Sequence, residues 1–160
     1  MITSISEWMR TSDVRRWHTV NVTKEQTLAE HHALVAGISV ALLFAVAKED
    51  PDPFTVADTL MRALTHDSYE VIAGDVPSGM KPEKEPLDSI DAIVGVADSL
   101  EAYWWIYNNG AGSRKPEIVE FNFRKLKHRV AAAGSFTDAG KLTRVVNEMI
   151  MELGLTFTLP

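Results

Sequence analysis

At 160 residues, with 46% hydrophobic and 24% charged side chains, the chain has the composition of one soluble globular domain large enough to bury a real core. A formal net charge of −6 disfavours a broad DNA- or RNA-backbone footprint, although a single nucleotide needs only a few well-placed cations. The sequence has no cysteine, which excludes disulfides, thiolate nucleophiles and Cys-type zinc sites, so any metal must be held by His, Asp and Glu.

The opening "MITSISEWMRTSDVRRWH" lacks the apolar core of a signal peptide. It predicts a short helix near Ser4–Arg10, followed by a loop carrying Arg15, Arg16 and Trp17. Thr23 and Gln26 form a T-x-x-Q capping box that opens a helix running to about Lys48. Its apolar run "ALVAGISVALLFAVA" is too short and too rich in small residues for a membrane span, which points to a cytoplasmic protein with no membrane partner. A second helix is expected from about Thr55 to Ile72 and a third from about Leu87 to Tyr107. Pro116 suits the first turn of a fourth helix ending near Ala133, and a fifth runs from about Thr137 to Leu153, where Gly154 can cap it. Only the tail "LTFTLP" has any strand character. The expected fold is all-α, one helical bundle of five to six helices over residues 1–160.

Polar residues interrupt the apolar stripes of three helices. Leu28, His31, Val35, Ile38 and Leu42 recur at steps of three or four, so His31 faces the core. His32, about 100° further round, is expected at the boundary. In the second helix Val56, Leu60, Ala63 and Asp67 share a stripe, His66 adjoins it, and Glu70 lies one turn beyond His66. In the third, Asp98 shares a face with Val94 and Trp105. Burying a lone carboxylate is costly unless it is paired or bound to a metal. Taken singly, each residue also reads as a hydrogen-bonded core histidine, a helix cap, the partner of an arginine or a solvated acid. Taken together, two imidazoles and two carboxylates suit one divalent transition ion with positions left for water and substrate oxygen. The pattern alone leaves both readings open.

The set His31 in "AEHHALVA", His66-Asp67 in "THDSYE" and Asp98 in "GVADSLEAY" resembles the H…HD…D motif of the HD-domain phosphohydrolases. Within that superfamily, residues 10–107 most resemble the small 5′-deoxynucleotidases and the related phage dATP triphosphohydrolases. The likeness includes Arg16-Trp17 ahead of the first histidine and "HDSYEVIAGDVP". The short connection from Asp67 to Asp98 and the short C-terminal end depart from the family pattern and suggest a trimmed form, as in a phage protein.

The resemblance implies an HD helical bundle in which His31, His66, Asp67 and Asp98 bind one divalent ion (Co, Mn or Zn, with Mg also admissible). It implies that Glu70 orients or deprotonates a water, as general acid–base work requires. Asp75 would serve the leaving group or position the sugar. Arg16 would pair with phosphate through its planar fork of donors, and Trp17 would pack against deoxyribose. Val76 and Pro77 would line the base site, and Lys81, with Arg114 or Lys115, would meet further phosphates. The implied reaction is hydrolysis at the 5′ ester of a deoxynucleotide, purine favoured. The compact chain and extra lysines favour a dATP triphosphohydrolase over a 5′-monophosphatase. Arg16-Trp17 and "GDVP" speak against a cyclic-nucleotide or (p)ppGpp hydrolase. A silent nucleotide sensor or assembly protein on the same scaffold is the non-enzymatic alternative. The cluster Tyr103, Trp104, Trp105 and Tyr107 exceeds what one helix face buries, which implies either a homo-oligomer interface or a thick core. A phage-encoded protein of this kind would work in the host cytoplasm.

Overall fold

The computed structural model describes residues 4–77, 80 and 85–160. Helix α1 (Ile5–Arg10) is opened by a capping box in which Ser4 Oγ accepts from the Glu7 N–H and Glu7 returns the bond to the Ser4 N–H. Two-residue strands β1 (Arg15–Arg16) and β2 (Gln26–Thr27) pair antiparallel, with Arg16 opposite Gln26. These strands, which the sequence reading omitted, clip the Trp17 loop to the start of α2 (Leu28–Val46). The tail, where strand character was expected, forms none. It is instead strapped down by Asn147, which exchanges hydrogen bonds with both backbone groups of Leu159, and by Phe157 stacked on Phe123.

The predicted capping box at Thr23 and Gln26 is displaced by four residues. Thr27 caps α2, accepting from the Glu30 N–H at 3.1 Å while Glu30 accepts from the Thr27 N–H at 2.8 Å. A glutamate at N3 adds a favourable charge at the positive end of the helix, which Gln26 cannot supply. Thr23 instead donates to the carbonyl of Asn109, and Gln26 is fully buried beneath the β1–β2 clip.

Helix α3 (Pro53–Thr65) starts on the Asp52 cap with proline in its first turn, but it stops seven residues before the predicted Ile72. Backbone bonds tighten to i→i−3 at Ser68 and Glu70, and a separate turn, α4 (Glu70–Ala73), follows. At this break His66 Nε2 and Asp67 Oδ2 lie 3.6 Å apart.

Helix α5 (Ser89–Asn109) is capped by Asp88, α6 (Lys115–Ala133) carries Pro116 in its first turn, and α7 (Ala139–Glu152) is capped by Asp138. Gly154, at φ +68°, follows α7 in the left-handed region, where glycine carries no Cβ penalty. Helix α5 packs against α2, α3 and α6, and α2 packs against α3, α5 and α7. Val35, Leu42, Ile93, Leu100, Tyr103 and Leu126 lie at the centre of the core, each worth about 1.5–3 kcal/mol of apolar transfer. Among the described residues α2 alone has the length and composition of a membrane span, and here one side of it packs against α3, α5 and α7. Part of the aromatic cluster enters the core: Tyr103 and Trp105 are buried, Trp104 and Tyr107 half-buried, and Tyr103 packs on Phe123.

Candidate metal centre and substrate pocket

Helix α2 brings His31 into the bundle, the turn after α3 brings His66 and Asp67, and α5 brings Asp98. One ligand atom from each of the four lies within 4.8 Å of all the others. His31 Nε2 is 3.1 Å from His66 Nε2 and 3.4 Å from Asp98 Oδ1. His66 Nε2 is 3.6 Å from Asp67 Oδ2 and 3.7 Å from Asp98 Oδ1.

The outer nitrogens fix the chemistry of the inner ones. His31 Nδ1 faces Glu101 Oε2 at 2.7 Å and His66 Nδ1 faces the Ala63 carbonyl at 2.7 Å. Both partners are acceptors, which places the imidazole protons on Nδ1 and leaves two Nε2 lone pairs aimed at each other. Two lone pairs and two carboxylate oxygens converging in this way repel unless a cation lies among them. The donor set of nitrogen and carboxylate oxygen therefore fits a divalent transition ion.

The local field agrees with this reading. Burial opposes charge on His66, yet Asp98 and Asp67 raise its affinity for a proton above the ordinary value. Burial also opposes the Asp98 carboxylate, but the Lys125 ammonium at 3.2 Å, with His31 and His66, holds its carboxyl well below the usual range. The site thus draws positive charge.

His32 corrects the expectation of a boundary residue. It is buried, its ring 5.2 Å from that of His66 and 5.9 Å from that of His31. Burial, reinforced by the two neighbouring imidazoles, pushes it down to about 3, so it is a neutral ring over the working range. The missed signal was in α2 itself. After Glu30 the helix carries no charged residue, and apolar residues lie one turn to either side of His32.

The remaining predicted residues gather beside this centre. Glu70 is fully buried, and its Oε1 accepts from the Val76 N–H at 3.2 Å. Asp75 Oδ2 accepts from the Trp17 N–H at 3.0 Å and lies 3.1 Å from His18 Nδ1. That bond holds Trp17 at φ +65°, the one non-glycine positive φ among the described residues, a strained state for a bulky side chain. Arg16 is 9% exposed, and its Nε and Nη1 have no partner among the described residues.

Arg16, Trp17, Asp75, Val76 and Pro77 line one side of a cavity of about 310 Å³. Asp98, Arg114, Phe121, Asn122 and Lys125 line the other. Asp98 belongs to both the ligand cluster and this cavity. Lys115 lies over the Tyr107 ring instead, and Lys81 falls outside the described residues. A wider hollow of about 560 Å³ along α7 is more open and holds none of these groups. The sequence reading missed Gln26, Glu101 and Lys125. Glu101 had a signal, an acid three residues after Asp98 on an apolar helix.

A family model described as 5′-deoxynucleotidase YfbR-like matches residues 5–94. The chain belongs to the YfbR-like family. The match takes in His31, His66, Asp67, Glu70 and Asp75 and ends before Asp98. This YfbR-like chain is 27% identical over 128 residues to a dATP triphosphohydrolase of Salmonella phage PMBT28, covering 65% of this chain and 66% of the relative. It is 31% identical over 107 residues to a dATP triphosphohydrolase of Acinetobacter phage SH-Ab 15497, covering 59% and 52%. The chain thus spans from about half to just under two thirds of these relatives. The fold matches the cyanophage S-2L HD phosphohydrolase (DatZ), solved with dA and one catalytic Zn²⁺ ion. The TM-score is 0.77 at 20% identity, over 95% of this chain and 99% of that one. The all-α HD architecture expected from the sequence is therefore the architecture of this YfbR-like protein.

Proposed function

We propose that the described residues form one HD-type unit that hydrolyses the 5′ ester of 2′-deoxynucleotides with a divalent metal, dATP being the first candidate substrate. The observation that carries this reading is the convergence of His31, His66, Asp67 and Asp98 on one point at the wall of the Arg16–Trp17 cavity. These four side chains would hold the ion, which when bound supplies Lewis-acid polarisation of a phosphate oxygen and of water.

The chain's own groups do the rest. Arg16, whose buried Nε and Nη1 have no hydrogen-bond partner among the described residues, offers its donors to phosphate. Glu70, oriented by the Val76 N–H, takes up a proton from the attacking water. Trp17 presents its ring to the sugar, where contact disfavours a 2′-hydroxyl by shape. Asp75 holds the backbone of Trp17, which makes it a positioning residue for the sugar, and Val76 and Pro77 border the base.

The curated relatives favour the triphosphate, with deoxynucleoside and tripolyphosphate as products. Purified protein incubated with dATP or dAMP and Zn²⁺, Co²⁺, Mn²⁺ or Mg²⁺ tests this directly. Tripolyphosphate from dATP is the expected product. Orthophosphate from dAMP alone identifies a monophosphatase, and no metal-stimulated release from either sinks the enzymatic reading. Because both relatives are phage proteins, the host cytoplasm is the proposed place of action. Light scattering on the purified chain checks the proposed homo-oligomer.

A further inference from the structure

Two buried side chains join the two halves of the site. The Trp17 indole N–H donates to Gln26 Oε1 at 2.9 Å, the Gln26 amide donates to Glu101 Oε1, and Glu101 Oε2 meets His31 Nδ1 at 2.7 Å. Gln26, Glu101 and His31 are each 0% exposed, so water does not compete for these bonds.

Each link runs in one direction. An indole N–H can only donate, so the Gln26 carbonyl must face Trp17 and its amide must face Glu101. A carboxylate can only accept, so it takes the proton of His31 at Nδ1. The lone pair of His31 must then lie on Nε2, facing His66 and Asp98. Glutamine meets both demands at once, offering an acceptor to the indole and a donor to the carboxylate. The β1–β2 register sets Gln26 opposite Arg16, immediately beside Trp17. Glu101 is costly to bury, because it is served by an amide and an imidazole with no Lys or Arg bonded to it among the described residues. Packing alone would be better served by leucine.

We infer that Gln26 and Glu101 are positioning residues that tie the tautomer of His31 to the seating of Trp17, so that one hydrogen-bonded unit sets both the metal centre and the sugar face of the cavity. This rests on reading His31 as a ligand and Trp17 as the sugar contact. Neither Gln26 nor Glu101 touches the reacting atoms. With a cation held at Nε2, His31 would donate more strongly from Nδ1 to Glu101, and Gln26 would carry the change to the Trp17 indole.

The test uses the whole purified chain labelled with ¹⁵N in imidazole and indole, with Trp17→Phe to assign the indole signal and circular dichroism to verify folding of every variant. In the metal-free wild type His31 is expected as the Nδ1–H tautomer, and Zn²⁺ should shift the Trp17 indole resonance. Glu101→Gln should release the tautomer and weaken zinc affinity by about 10–100-fold. Gln26→Met should leave zinc affinity within a few-fold of wild type while abolishing the Trp17 response. Gln26→Leu, of similar size but with neither donor nor acceptor, replaces it if Gln26→Met does not fold. Wild-type zinc affinity and tautomer in Glu101→Gln, or a Trp17 signal indifferent to zinc in the wild type, overturns the relay. Zinc binding with all these signatures but no deoxynucleotide hydrolysis supports the relay and overturns the proposed activity.

Discussion

Among the site residues, Arg16 and Glu70 respond differently to removal. Arg16 carries a buried charge whose Nε and Nη1 lack partners among the described residues, an arrangement that costs stability until an anion arrives. Arg16→Met is therefore expected to raise the unfolding free energy by about 1–3 kcal/mol while lowering kcat/KM. A thermal melt beside a kinetic run checks both signs, and a destabilised variant would show that the guanidinium is structurally satisfied. Glu70→Ala should keep zinc affinity near wild type but reduce kcat about 10²–10⁴-fold, whereas His66→Ala should lose both metal and turnover. Equal metal-dependent rates in wild type and both variants would remove the enzymatic assignment. The neutral His32 packs against both ligand histidines, so His32→Ala is expected to loosen their orientation and weaken zinc binding, read by a chelator competition.

Helix starts govern the acid response. Glu30, Asp52 and Asp88 all have carboxyl groups held below their usual values. The main causes are the Thr27 backbone N–H for Glu30, the Thr55 hydroxyl for Asp52 and the Asp91 N–H for Asp88. Arg62 adds to the Asp88 shift, its Nη1 lying 2.8 Å from Asp88 Oδ2 and 2.7 Å from Asp91 Oδ1. A carboxyl depressed in the fold contributes stability that is fully present above the unfolded value, about pH 4, and is lost as pH falls through the lower folded value. His32, held down to about 3, also withdraws stability as pH falls from about 6.5, so melting temperature should decline gently below about pH 6.5 and more steeply below about pH 4. Asp88→Asn should flatten part of that fall, and an unchanged acid limb would rule Asp88 out as a contributor. These helix starts also show where the sequence was ambiguous. "TKEQTLAE" contains two successive T-x-x-[QE] signals, and the choice of the second depends on Gln26 being required by Glu101, a partner 75 residues away.

At the scale of the molecule, helix periodicity marked His31, Asp67 and Asp98 as polar residues on apolar stripes, a local signal, while His66 lay beside its stripe and was joined to them by the H…HD…D resemblance. The order and direction of α2, α3, α5, α6 and α7 were legible for the same reason. The end of α3 was not. Its continuation into Glu70 has good helical periodicity, and no glycine or proline marks the break after Thr65. The relay through Gln26 and Glu101 was equally hidden, since its bonds close between segments far apart in sequence.

The four proposed ligand residues sit on three segments at the centre of the bundle, α2, the turn after α3, and α5. An ion bound there is a cross-link among segments that an unfolded chain cannot bring together. By mass action, free metal at about one hundred times its dissociation constant adds about 2.7 kcal/mol to stability. Chelation should lower the melting temperature, and the series Zn²⁺, Co²⁺, Mn²⁺, Mg²⁺ should rank by thermal shift as it ranks by affinity. Metal supply during expression then becomes a determinant of how much folded protein accumulates, independently of any turnover.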